Sequence, residues 1–259
     1  MEKEFFYLSE DCVEILKKNG LDDFDALWNA DVEIVDDPNI GRGGYSDVGI
    51  LRLPNGSAEE VFFVKRQTNH NCRTFWHPFR GIPLAIREWL NVNRFQKEGI
   101  QTLEVVFVGR HFDGGDRAIL VTRALDGFQT IREWLSQKPD EKQRGLVMTA
   151  LGKLIGKMHR AGIRHGSLYR KHIFVSSEMP EDIRFIDLEK SKPIWSKRSG
   201  LKDFVTFLYR TSELKKRDKE QLLTAYVGAG PDRWGRKISK EAVKREMTAK
   251  AAKSAKGNK

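Results

Sequence analysis

Apolar positions fall at strand spacing through most of the first half of this chain and at helix spacing through the second. Val61-Phe62-Phe63-Val64 is a short apolar run that ends on Lys65-Arg66, and it reads as a strand. The turn Pro54-Asn55-Gly56-Ser57 precedes it, and before the turn alternation runs from Val48 to Leu53, so the two segments predict a hairpin. Leu84 to Glu98 changes period: Ala85, Glu88, Trp89, Val92 and Phe95 share one helical face, and Gly99 supplies the stop. Val105–Val108 and Ala118–Val121 read as strands around Asp113-Gly114-Gly115-Asp116. Residues 9–29 carry one or two short helices anchored by Leu16, Leu21, Phe24, Leu27 and Trp28.

Beyond Arg123-Ala124-Leu125-Asp126-Gly127, which reads as a hinge, helical periodicity dominates at 130–136, 142–161, 202–213 and 218–227. In the helix Lys142–Ala161, Leu146, Val147, Ala150, Leu151, Leu154, Ile155 and Met158 form the expected buried face. A polar, basic stretch follows, Arg164 to His172, and then two short strands, Ile173-Phe174-Val175 and Ile183–Ile186, the second ending on Asp187. The expected organisation is an N-terminal helical extension (1–29), a small β-rich lobe (30–125), a larger helical lobe (126–238) with a cleft between the lobes, and a basic, frayed or disordered tail (239–259). The fold class is therefore α+β.

Charge refines this only at the C-terminus. The net charge is +10, but residues 236–259 hold nine Lys/Arg against two Glu, which leaves about +3 for the rest. The tail reads as solvated, with an anionic partner (a membrane surface, a lipid head group or nucleic acid) as the alternative. The body's modest charge, and aromatic residues placed at core spacing, argue against nucleic acid. No run of about 18 apolar residues predicts a membrane span, and Met1–Phe6 lacks the pattern of a signal peptide. Two cysteines, Cys12 and Cys72, make no disulfide framework, so a cytoplasmic setting is expected.

Candidate chemistry begins at Ile40-Gly41-Arg42-Gly43-Gly44-Tyr45-Ser46-Asp47-Val48. A dinucleotide-binding turn needs a strand before it and a helix after it, and a Walker loop needs Gly-Lys-Ser/Thr; neither condition is met. Two readings stay open: an ordinary glycine-rich hairpin, or a flap whose backbone N–H groups approach nucleotide phosphates at Gly41, Gly43, Gly44, Ser46 and Val48. Lys65 ends its strand either as a solvated lysine or as a ligand of phosphate held by a Glu on the next helix, for which Glu88 is the better placed candidate and Glu98 the poorer. In the central loop His165 reads as structural, and Asp203 as an acceptor of loop N–H groups or a helix-start charge. His-Glu-x-x-His, Gly-x-Ser-x-Gly and tight metal spacing of the six histidines are all absent.

The order Gly-rich hairpin, Lys65, Glu88, His165-Gly166-Ser167-x-x-x-x-His172, Asp187 is the layout of a protein-kinase-like phosphotransferase. Together with Arg42-Gly43-Gly44-Tyr45-Ser46, Arg87-Glu88-Trp89, Leu168-Tyr169-Arg170-Lys171-His172 and Ile186-Asp187-Leu188-Glu189-Lys190, it resembles the bacterial lipopolysaccharide kinase family, WaaP/InaA-type and Kdo-kinase-like, over residues 30–230. The resemblance implies a two-lobed kinase fold, a Gram-negative source, and use of ATP with Mg²⁺. It further implies phosphorylation of a sugar hydroxyl of the lipopolysaccharide inner core at the cytoplasmic side of the inner membrane. By the same resemblance Lys65 and Glu88 orient nucleotide, and Asp187 and His172 hold the metal. Lys171 offsets phosphoryl charge, and Ser167 stands where such enzymes carry the catalytic Asp; apart from the resemblance, Glu189 is a nearby carboxylate that could substitute. Arg42, Lys171 and the basic tail would suit an anionic acceptor. Serine lacks the basicity of a general base near neutral pH, which motivates two competing readings: a pseudokinase or stress-response binding module, and a kinase for another small hydroxylated molecule.

Overall fold

The structure, a computed structural model, describes residues 4–35, 37–41, 43–74, 77–194, 196–229 and 239–257. Arg42 of the glycine-rich segment lies outside the described residues. The chain divides into two compact units, one of residues 1–93 and 103–126, the other of residues 94–102 and 127–259.

The first unit contains β1 (Glu4–Leu8), α1 (Val13–Lys18), α2 (Phe24–Asn29), β2 (Glu33–Ile34), β3 (Asn39–Gly41), β4 (Gly44–Asn55), β5 (Ala58–Thr68), β6 (Asn71–Cys72), β7 (Ile82–Pro83), α3 (Leu84–Lys97) as far as Asn93, β8 (Val105–Phe112) and β9 (Asp116–Arg123). One antiparallel sheet runs in the order β1-β8-β9-β5-β4-β2, with β3 also on β4. Strand alternation gives the sheet two apolar faces. Leu51, Leu53, Phe62, Val64, Phe107, Ile119 and Val121 face Ile15, Leu16 and Leu27 of α1 and α2. Val108, Ala118 and Leu120 face Ala85, Ile86 and Trp89 of α3. Burying a side chain such as Phe62 or Phe107 contributes about 2–3 kcal/mol.

The N-terminal extension is not wholly helical. Glu4–Leu8 is a strand that pairs with β8, Phe5 and Tyr7 lying against Trp89 and Phe6 against Phe107. Alternating aromatic residues satisfy both faces of the sheet edge, which a helix there would not.

The second unit contains residues 94–102, β10 (Phe128–Thr130), α4 (Ile131–Ser136), α5 (Glu141–Arg160), β11 (Ile163–Arg164), β12 (Ile173–Ser176), β13 (Ile183–Phe185), β14 (Lys192–Pro193), α6 (Lys197–Arg210), α7 (Lys216–Gly228) and α8 (Lys240–Gly257). Thr130 and Glu133 form a capping box that starts α4, and Asp140 caps α5 through the Gln143 N–H. The buried face of α5 is rotated from the expected one: Leu146 is exposed, and Met148 and Gly152 are buried. The glycines decide this. A Cβ on Gly152 would stand 2.6 Å from the Leu222 carbonyl oxygen, so α7 comes in where side chains are missing. Buried between the same helices, Arg144 pairs with Asp218.

The basic tail, read as a frayed or disordered helix end, forms the helix α8 between Lys240 and Gly257. Val243 is fully buried, Lys240 donates to Thr224 Oγ1 of α7, and Lys250 donates to Thr206 Oγ1 of α6. Its sequence is poorly amphipathic: Val243 is buried, and Ala242, Glu246, Met247 and Lys250 are half-buried. No helix among the described residues is long and apolar enough to cross a membrane.

Candidate active site

In the first unit, β4 and β5 pair with Val48 opposite Lys65, and Lys65 opposite Leu120 of β9. That register puts Lys65 on the α3 face of the sheet. Its Nζ lies 2.6 Å from Glu88 Oε2, and the Glu88 side chain is only 3% exposed. Glu88 is thus a deeply buried carboxylate held by an ammonium at the sheet surface, the pair anticipated from sequence.

The glycine-rich segment is the β3–β4 hairpin, with Gly41 opposite Gly44 and Gly43 at φ +78°. Gly44 has a packing role: a Cβ there would stand 2.3 Å from the Thr68 carbonyl oxygen. Ser46 is buried; its Oγ accepts from Gln67 Nε2 at 3.3 Å, and Gln67 Oε1 accepts the Ala85 N–H at 2.7 Å. Ser46 and Gly44 therefore fasten the hairpin to β5 and α3. Gly41, Gly43 and Val48 remain as the positions on which a close approach by a ligand could rest.

In the second unit the loop between β11 and β12 carries the other candidates. Asp203 of α6 accepts the backbone N–H of His165 at 2.8 Å and of Gly166 at 3.1 Å. Behind it, the Tyr226 hydroxyl and His159 Nδ1 are hydrogen-bonded at 2.8 Å, and His159 Nε2 faces Asp203 Oδ2 at 3.5 Å. Burial works against the Asp203 charge, but His159 and the loop N–H groups outweigh it and hold the carboxyl below its usual range. Burial pushes His165 down to about 4, against the pull of Asp203. Gly166, at φ +81°, lets the loop pass the Lys190 carbonyl, which a Cβ would meet at 2.3 Å.

Ser167 is 2% exposed, and its backbone carbonyl accepts from the Tyr169 N–H and from His172 Nδ1, both at 2.8 Å. Lys171 is exposed on the short helical turn Arg170–His172. The β12–β13 register, Ile173 opposite Phe185, brings His172 and Asp187 to one end of the hairpin. His172 Nε2 stands 3.2 Å from Asp187 Oδ2. Asp187 is left-handed, φ 58° and ψ 57°, a conformation that Asp tolerates better than most residues and that concentrates at functional positions. Glu189 lies 3.7 Å from Lys190 in an ion pair. Residues 94–102 support this end: Thr102 donates its hydroxyl to the Phe185 carbonyl at 2.7 Å.

The sequence profile of the Lipopolysaccharide kinase (Kdo/WaaP) family matches residues 25–226. The chain belongs to this family. Protein InaA of Escherichia coli (strain K12) is 31% identical over 176 residues, spanning 66% of this chain and 79% of InaA. The lipopolysaccharide core heptose(I) kinase WaaP of Pseudomonas aeruginosa is 26% identical over 159 residues, spanning 55% of this chain and 59% of that enzyme. A solved structure of WaaP in complex with acyl carrier protein superimposes with a TM-score of 0.67 at 21% identity, covering 96% of this chain and 98% of that one. The fold of this lipopolysaccharide kinase family member is protein-kinase-like.

Kinases of this fold use a divalent cation, and the residues present fit one. A carbonyl can only accept, so His172 Nδ1 carries the proton given to Ser167, and Nε2, beside the Asp187 carboxylate, would offer an ion its lone pair when the ring is neutral. Adjacent ligands about 2.1 Å from an octahedral ion lie about 3 Å apart, which these two donors match at 3.2 Å. The sequence reading missed the His159–Tyr226 pair and Thr102: each acts through a contact many residues away in sequence, with no local motif to mark it.

Proposed function

We propose that this family member is an ATP-dependent phosphotransferase that phosphorylates a sugar hydroxyl of the lipopolysaccharide inner core. The observation that carries the reading is the buried Lys65–Glu88 pair. A carboxylate so deeply buried needs a cation beside it, and that cation, 21% exposed, is the kind of charge that binds nucleotide phosphates. Asp187 and His172 would hold Mg²⁺, which when bound neutralises phosphate charge. Lys171, exposed beside them, offsets charge on the group being transferred. Asp203 keeps the loop N–H groups satisfied and the loop in place.

Ser167 cannot accept the acceptor's proton as a carboxylate would, which removes roughly 10²–10⁴-fold of rate. Phosphoryl transfer through a loose transition state depends more on positioning and charge neutralisation. A slow enzyme is therefore expected, not a dead one. The burial of Ser167 favours one alternative, a nucleotide-binding module without turnover.

The deciding experiment is Mg²⁺-dependent ATP consumption on adding purified core oligosaccharide, in wild type and in Asp187→Asn, which tolerates the left-handed backbone. Turnover lost in the variant supports the proposal; turnover that survives refutes the site. Nucleotide stabilisation without turnover on any sugar favours the module.

A further inference from the structure

The basic helix α8 delivers one lysine to a specific place. Thr206 and Arg210 lie one turn apart on α6, hence on one face. The Thr206 hydroxyl donates to the Lys202 carbonyl at 2.6 Å and accepts from Lys250 Nζ at 2.6 Å. Lys250 also sits over the Tyr209 ring, 6.0 Å from its centre. The Lys250 ammonium is thereby held on the α6 face that carries Lys202, Thr206 and Arg210 at four-residue spacing, the first and last of them exposed. Burial, and then the charge of Arg210, lower the pKa of Lys250, with Glu246 one turn back opposing. No carboxylate forms an ion pair with Lys202, Arg210 or Lys250 among the described residues.

The row continues into the candidate active site. The Arg210 guanidinium lies over the Tyr169 ring at 5.0 Å, and the same ring lies 5.6 Å from that of His172. Like charges held this close repel, and the arrangement is stable on its own terms only at a cost. It gains when a multiply charged anion is present. Arg supplies planar, bidentate donors for phosphate or carboxylate, and Lys a point charge.

We propose that Lys202, Arg210 and Lys250 form a binding site for phosphate or carboxylate groups on the sugar head of the acceptor, next to the hydroxyl that reacts. The proposal rests on the phosphotransferase reading for the identity of the acceptor. The site's continuity with Tyr169 and His172 favours the acceptor over a membrane headgroup as the occupant. It also gives α8 a role: the helix is held by Val243 and Lys240 so that Lys250 reaches α6.

The test measures binding of deacylated, phosphorylated core oligosaccharide to wild type, Arg210→Ala, Lys250→Ala and Thr206→Val. Each variant alters an exposed or half-buried side chain, and thermal melting checks that it folds. Arg210→Ala and Lys250→Ala should each weaken binding about tenfold or more, and Thr206→Val, which only unpins Lys250, by less. Oligosaccharide stripped of phosphate and with its carboxyl groups reduced to alcohols should bind weakly and alike to all four proteins, and stabilisation by ATP with Mg²⁺ should be the same in all. Unchanged oligosaccharide affinity in folded variants overturns the proposal. So does loss of binding to phosphatidylglycerol vesicles with oligosaccharide binding intact, which would make the row a membrane contact. Oligosaccharide binding that needs Arg210 and Lys250 in a protein with no response to nucleotide would uphold the anion site and sink the phosphotransferase reading.

Discussion

Asp203 Oδ2 accepts the His165 backbone N–H at 2.8 Å, so a residue on α6 sets the path of a loop 38 residues earlier. Asp203→Asn keeps the shape but loses the charge and one acceptor oxygen. It should cost about 3 kcal/mol by urea titration near neutral pH, and hydrogen exchange at His165 and Gly166 should speed up. The carboxyl is held below its usual 3.8, so its stabilisation is complete above that pH and lost as pH falls through the folded value. Wild type and variant should therefore converge in strong acid; a constant gap down to pH 2 would contradict the charge argument.

Lys65→Met leaves Glu88 buried without its ammonium and should destabilise by about 3 kcal/mol. Lys65→Met/Glu88→Leu should recover much of that loss, because an apolar pair of similar volume avoids the desolvation cost. Nucleotide stabilisation should be absent from both. Recovery of stability together with nucleotide binding would show that Lys65 serves the fold alone.

Two adjacent glycines should respond differently to alanine. At Gly43, φ is +78° with open space around it, so Gly43→Ala should cost about 1–2 kcal/mol in backbone strain. Gly44→Ala drives a Cβ into the Thr68 carbonyl and should cost more, through separation of the β3–β4 hairpin from β5. Thermal melting ranks the two; equal effects would refute the packing role of Gly44.

Tyr226→Phe retains the stacking on Phe204, 4.2 Å between ring centres, and removes only the hydroxyl bonded to His159 Nδ1. Loss of a buried hydrogen bond should cost about 1–2 kcal/mol. The ¹⁵N shifts of His159 should move, whereas unchanged shifts would mean that Tyr226 does not fix the ring.

Much of this was legible because it is local. The Val61–Arg66 run, the helical spacing around Glu88 and the strand that ends on Asp187 each carry their signal within one element. Asp203 was singled out as an acceptor of loop N–H groups, and the structure has those bonds. What escaped depends on partners far off in sequence. Glu4–Leu8 becomes a strand only beside β8, more than 95 residues away. Leu146 looked buried on periodicity, but Gly152 admits α7 and turns the helix. The lysines of α8 promised a solvated end, and the Thr206 hydroxyl holds one of them.

Residues 94–102, the last turn of α3 and the segment that leads to β8, belong to the second unit although β8 belongs to the first. The chain therefore enters the second unit, leaves it to finish the sheet, and returns for good at Gly127. The two units are interleaved along the polypeptide. A fragment beginning at Gly127 would lack Thr102 and leave the Phe185 carbonyl without its hydroxyl donor, two residues before Asp187. During synthesis the first unit can complete its sheet with a stretch of its neighbour's structure still waiting for a partner. Expressing the halves separately is thus expected to fail where full-length folding succeeds, and the end of β13 should be among the last parts to become protected.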